Sequence, residues 1–246
     1  MSDALKLWLV SVIALGSIAA MFVFVAPISQ PLAYHDFSDP RGWLGIPNFG
    51  DVVSNTPFVA VGLYGVWVVF KRTDPGAWSQ DARLPLAVFF IGVALVGPGS
   101  AYYHWAPDNA TLFWDRLPMT VGFMALLGAV IWDRIGVRWA LPALIGVGVF
   151  SAVYWHLTDD LRAYILVQFL PVLLIPLIMG LWPYGKWISW RAIFGAFVFY
   201  ALAKLTEHFD AEVLALLGES VSGHTIKHLF AALGPLAVAL TLKNQS

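Results

Sequence analysis

Apolar positions in this chain come in long unbroken runs, not in the alternations of a half-buried strand or an amphipathic surface helix. A bilayer core of roughly 30 Å needs about 20 apolar residues per helix. Runs at 6–27, 51–70, 84–104, 113–132, 139–155, 162–182, 190–206 and 222–242 meet or approach that length. The fifth and seventh are short, as expected of tilted or partly interfacial helices. Most connections are brief and rich in turn formers, such as Thr73-Asp74-Pro75-Gly76 and Trp182-Pro183-Tyr184-Gly185. The longest, 28–50, contains Asp36, Asp39, Arg41 and Asn48. No internal repeat or low-complexity tail interrupts the pattern. It predicts an all-α membrane protein forming a single integral membrane domain over 1–246.

Composition strengthens that reading. Only 12% of the 246 residues are charged and 59% are hydrophobic, against roughly 25% charged in a soluble domain. Fourteen cations face fifteen carboxylates, a net charge of −1, which gives no electrostatic case for nucleic acid as a partner. The chain has no cysteine. Disulfides, thiolate nucleophiles and Cys-ligated clusters are thereby excluded, and any metal must be held by His, Asp or Glu.

The basic residues are distributed asymmetrically. Alternate connections carry Lys6, Lys71, Arg72, Arg83, Arg134, Arg138, Lys186, Arg191 and Lys243, whereas the opposite ones carry Arg41, Arg116 and Arg162. Positive residues mark the cytoplasmic side, so both termini are expected there, with 28–50 extracytoplasmic. The run at 6–27 has a second reading as a cleaved signal peptide. Its length exceeds a usual apolar region of that kind, and no small-x-small site precedes Pro27. A retained helix is the expectation.

Ionisable residues at membrane depth are costly and therefore functional candidates. Ser100 and His104 share one helical face at the end of the third run, Asp115 opens the fourth, and His224 and His228 open the eighth. The topology puts all five at the outer ends of their helices. Three imidazoles suit a tetrahedral zinc with one position left for water. Asp115 could then move protons, and Ser100 could hydrogen-bond the oxygen that becomes negative. Each residue also has a plainer role. His-x3-His pairs in helices usually bind no metal, and His104 could be a packing residue. Asp115 could be a helix N-cap, and Ser100 could bond its own i−4 carbonyl. The joint pattern favours the metal site. Glu207 and Asp210, with Lys204, either rim a substrate entrance or form an ion-pair ladder. Lys227 with Asp115 as counter-ion would suit a retinal protein, but that leaves three histidines unexplained. A receptor or proton-linked transporter is a further alternative, without the paired halves transporters use.

At these residues the sequence resembles the alkaline ceramidase family. The matching pieces are Ser100-Ala-Tyr-Tyr-His104, Asp115-Arg-Leu-Pro-Met119 and Gly223-His224-Thr-Ile-Lys-His228-Leu-Phe-Ala-Ala-Leu-Gly234, with Ser54-Asn55 ahead of them. The chain looks like a bacterial-type member of that family, within the CREST superfamily of seven-helix membrane hydrolases that includes adiponectin-receptor-like proteins. The resemblance implies a seven-helix core over 51–242, and 6–27 then becomes an extra N-terminal transmembrane helix. It also implies zinc on His104, His224 and His228, with Asp115 as acid/base and Ser100 as oxyanion partner. The implied reaction is cleavage of a ceramide-like N-acyl lipid, a membrane partner, into a long-chain base and a fatty acid. The family's calcium site would fall on Asp36, Asp39, Asn48 and Asp51.

Overall fold

In the computed structural model each apolar run is helical. The structure describes residues 1–71 and 80–243; the turn predicted at Thr73-Asp74-Pro75-Gly76, and Arg72 of the basic set, lie outside them. Helix α1 covers Asp3–Phe24. A single turn, α2 (Phe49–Val53), leads into α3 (Thr56–Lys71), and together they make one span. Then follow α4 (Gln80–Trp105), α5 (Asn109–Ile135), α6 (Ala140–Thr158) and α7 (Arg162–Leu181). Helix α8 (Trp190–His208) turns by 83° into the short α9 (Asp210–Leu216), and α10 covers Gly223–Lys243. Among the described residues, seven helices are long and apolar enough to cross a membrane, and eight when the bent α8–α9 pair is counted. The architecture is an all-α, multi-pass bundle with α1 added before the seven. Among the described residues, strand pairing is confined to one bridge between Trp43 and Ile46.

Local chemistry sets the helix limits. Asp108 accepts from the Thr111 N–H at 2.7 Å while its own N–H donates to the Thr111 hydroxyl at 3.1 Å, a reciprocal cap. Helix α5 therefore begins four residues before its apolar run. Asp115 lies nearly two turns inside it and is not the N-cap. Gly136 closes the same helix in the left-handed conformation at φ 86°. Prolines stand inside α4, α5, α7 and α10; membrane helices tolerate them because neighbouring groups satisfy the freed carbonyls.

Helix α4 packs closely against α3 and α5, α10 against α3 and α8, and α5 against α6 and α7. Helix α1 lies along α7 with none of its residues buried. Two glycines bring the site's helices together. A methyl group at Gly99 would sit 2.2 Å from the Trp114 carbonyl oxygen, and one at Gly223 would sit 2.2 Å from that of Thr206. Small residues at such crossings let helix backbones touch. The first contact sets Ser100 beside Asp115, and the second seats the start of α10 on the end of α8. The large buried side chains Leu86, Phe90, Ile175, Ile178, Met179 and Leu242 form the core. The buried polar residues Ser54, Ser100, His104, Asp115, His224 and His228 gather at the other end.

Candidate active site

His104 comes from the last turn of α4, and His224 and His228 from the first two turns of α10. All three are buried, and one ligand nitrogen from each lies within 4.8 Å of the others. The Nε2 atoms of His104 and His224 are 3.3 Å apart. Two nitrogens bound at about 2.0–2.1 Å to one tetrahedral zinc stand roughly 3.3–3.4 Å apart. The hydrogen bonds around His228 also suit a metal. Its Nδ1 is 2.7 Å from the Ser54 hydroxyl, which donates at 3.2 Å to the Asp51 carbonyl. With its proton on that carbonyl, Ser54 accepts from Nδ1–H, and in this tautomer the Nε2 lone pair is free. That Nε2 is buried with no protein partner. A hydrogen bond that fixes the ring in this way is typical of metal-ligating histidines. Three imidazoles and no thiolate fit zinc.

Hydrogen bonds to neighbouring segments hold these histidines in place. Asp210 accepts from the His224 N–H at 2.6 Å, capping α10, and its second oxygen accepts from the Ser38 N–H at 3.3 Å. Asp51 accepts from the hydroxyls of Thr225 at 2.7 Å and Ser222 at 3.3 Å, tying α2 to the same helix start. Asn48 donates its amide to the His104 carbonyl at 2.8 Å. The connection from 28 to 48 is laid over the site. His35 is bonded to Tyr103 at 2.9 Å and Asn109 at 3.0 Å, and the Phe37 ring centroid stands 4.6 Å from that of His104.

Below the imidazoles lies a cavity of about 360 Å³. Its polar end includes Ser100, Asp115, Arg116, Glu207, Lys227 and His228, and its far end is lined by Phe89, Val93, Leu126, Phe169 and Ile175. Ser100 and Asp115 come together at that end from α4 and α5. The space runs between α7 and α8, which meet sparsely and are bridged by a 3.2 Å bond from Gln168 to Tyr200. An apolar slot ending in acid/base and metal-ligating groups can take a lipid chain and present its polar junction to them.

The ladder expected of Lys204 and Glu207 is present at 2.6 Å, and Glu207 also pairs with Lys227 at 2.9 Å. Lys204 and Glu207 also line the cavity. Asp210 leaves the ladder to cap α10. The ion-pair partner of Lys227 is Glu207, not Asp115.

The calcium residues are not assembled. Asp39 accepts from Arg41 Nε at 2.6 Å and Nη2 at 2.7 Å, and this guanidinium holds its carboxyl below the usual range. Asn48 is committed to His104 and the buried Asp51 to α10, while Asp36 follows the short turn Leu32–His35. Calcium needs six to eight oxygens, and three of these four residues are engaged with separate partners. Among the described residues, the group of three or more acidic or imidazole side chains able to hold an ion is the histidine triad. In the sequence Ser54 reads only as half of a polar pair, and Phe37, Thr225 and Ser222 do not stand out. The spacing Ser54 to His228 carries no local signal.

A curated Dictyostelium discoideum protein named "Putative alkaline ceramidase dcd3A" is 25% identical over 169 residues, which cover 64% of this chain and 54% of that protein. The chain thus spans about half the length of that curated relative. No family model and no solved structure matches the chain.

Proposed function

We propose that this chain is a zinc-dependent membrane amidase that cleaves a ceramide-like N-acyl lipid into a long-chain base and a fatty acid. The observation that carries the reading is the convergence of His104, His224 and His228 within 4.8 Å at the polar end of an apolar cavity that also presents Ser100 and Asp115. The distant likeness to a protein named as a ceramidase agrees with it.

His104, His224 and His228 would hold the metal. When bound there, zinc supplies Lewis acidity, polarising a carbonyl and making water acidic near neutral pH. Asp115 accepts one proton from the attacking water and returns it to the amide nitrogen as the carbon–nitrogen bond breaks. The water's oxygen ends in the fatty acid, and the transferred proton ends on the amine. The Ser100 hydroxyl donates to the carbonyl oxygen as negative charge develops there. Acyl and alkyl chains lie among Phe89, Val93, Leu126 and Phe169, having entered sideways through the sparse α7–α8 contact. The Lys/Arg asymmetry orients the reading, with both termini cytoplasmic and the site near the extracytoplasmic face.

The direct test is metal analysis of the purified protein, with mass spectrometry of ceramides and other N-acyl amines incubated with it, with and without a chelator. One zinc per chain and chelator-sensitive release of fatty acid are expected. A fully metal-loaded protein that leaves all these lipids intact overturns the reading.

A further inference from the structure

The cations at the cavity's polar end already have partners. Lys204 and Lys227 share Glu207. The Arg116 guanidinium donates to the Gln30 side-chain carbonyl at 2.6 Å and packs on the rings of Trp155 and Tyr164, 4.2 and 4.7 Å from their centroids. A neutral pair on the wall made by α7 and α8 is different. Gln168 and Tyr200 both line the cavity, and the Gln168 amide donates to the Tyr200 hydroxyl at 3.2 Å. That bond leaves the Tyr200 hydroxyl hydrogen and the Gln168 carbonyl oxygen unused, and neither has another hydrogen-bond partner among the described residues. Tyr200 stands one turn before Lys204 on α8, and Gln168 one turn after Tyr164 on α7. The pair is therefore about 6 Å further towards the apolar end than those two residues. Around it the lining is apolar, with Phe123, Leu126, Phe169 and Phe197. A slot for bare alkyl chains needs no polar group at this depth, where unfilled hydrogen-bonding capacity is costly. A bridge between α7 and α8 accounts for the one bond but not for the spare donor and acceptor.

We propose that Gln168 and Tyr200 bind the secondary hydroxyl of the long-chain base, the one on the chain carbon next to the carbon bearing the amide, and thereby select hydroxylated bases. The inference rests on the amidase reading and names the substrate group that two further residues recognise. A hydroxyl both donates and accepts. It takes the Tyr200 hydrogen and gives its own to the Gln168 carbonyl, filling the two capacities left open. With the amide beside Asp115 and the histidines, this hydroxyl lies at the start of the chain that runs into the apolar end. The terminal hydroxyl of the head group lies on the other side of the amide and is not read by this pair.

The test compares hydrolysis of a C16 ceramide, its 3-deoxy analogue and its 1-deoxy analogue by zinc-loaded protein in mixed micelles. Wild type is expected to favour ceramide over the 3-deoxy analogue by at least about ten-fold in kcat/KM, the scale of two hydrogen bonds, and to treat the 1-deoxy analogue within about three-fold of ceramide. Gln168→Met and Tyr200→Phe, both near-isosteric, are each expected to shrink the first ratio. Together they are expected to bring it within about two-fold, with zinc content unchanged. A pair that only bridges two helices would lower the thermal midpoint when substituted and leave the ratio as it was, and that result overturns the proposal. Equal kcat/KM for ceramide and the 3-deoxy analogue in wild type overturns it even if the variants do not fold. So does a larger loss from removing the terminal hydroxyl. Binding of the same lipids to chelator-treated protein, followed by thermal shift, gives a readout independent of turnover. If no amide is cleaved, binding decides. A preference for ceramide over the 3-deoxy analogue that the two substitutions abolish supports the hydroxyl site while the amidase reading fails. Binding without preference sinks this inference as well.

Discussion

Two carboxylates on helix α5, Asp115 and Asp133, stand 18 positions apart, about 27 Å along the axis, and both are buried. Asp133 is fully occupied. One oxygen accepts from the N–H groups of Lys186 at 2.6 Å and Trp187 at 2.9 Å, and the other from that of Ile188 at 3.2 Å. Arg134 pairs with it at 3.2 Å and donates to the carbonyls of Pro183 and Ile188. This network clamps the α7–α8 connection and leaves its carboxylate no capacity for a ligand. Asp115 instead lines a cavity, at the end it shares with Ser100 and His228. Burial of charge is common to both ends. Open space beside the buried carboxylate belongs to one end, and it separates a candidate site from a staple.

The contrast can be broken by substitution, taking the largest effect first. His228→Ala is expected to lose bound zinc and bring lipid hydrolysis to background, read by metal analysis and product release. Asp115→Asn is expected to keep zinc while turnover falls by about 10²–10⁴-fold, the usual contribution of a placed acid/base group. Loss of zinc from that variant would assign Asp115 to metal binding instead. Asp133→Ala sharpens the opposite side. It leaves Arg134 uncompensated and is expected to cost about 3–5 kcal/mol, seen as a lower thermal midpoint in detergent with unchanged zinc content. Removing the hydroxyl on His228 Nδ1 by Ser54→Ala is expected to weaken zinc about 10–100-fold, measured against a competing chelator.

The smallest effect is electrostatic and lies outside the spans. Asp160, between α6 and α7, accepts from the Arg162 guanidinium at 2.7 Å, which holds its carboxyl down at about 2. A carboxyl depressed on folding stabilises the protein above its unfolded pKa of about 3.9 and ceases to do so as pH falls through the folded value. The detergent-solubilised protein is therefore expected to lose stability between about pH 4 and pH 2, and Asp160→Asn to flatten that part of the curve. An unchanged acid profile in the variant would remove Asp160 from the account.

Much of the fold was legible because crossing a bilayer is a local demand. A helix in lipid needs an apolar run of sufficient length, and each such run became helix wherever it was described. The i, i+4 pairs Ser100/His104 and His224/His228 were legible for the same reason, since helical periodicity fixes which residues share a face. The start of α5 was not, because Asp108 and Thr111 cap it from outside the apolar run. The 83° break after His208 was not either, as α8 and α9 together pass for one span.

What only the tertiary structure decided was which polar groups meet and which are left over. Ser54 reaches His228 across 174 positions, and Asp51 reaches Thr225 across the same separation. Arg116, counted with the loop charges, turned out to be buried in an aromatic cage. Asp39, offered as a cation ligand, was spent on Arg41. Apolar length and helical phase are properties of neighbouring residues, so they can be read along the chain. Coordination, charge balance and cavity shape arise where distant segments exclude water together, and no stretch of sequence contains them.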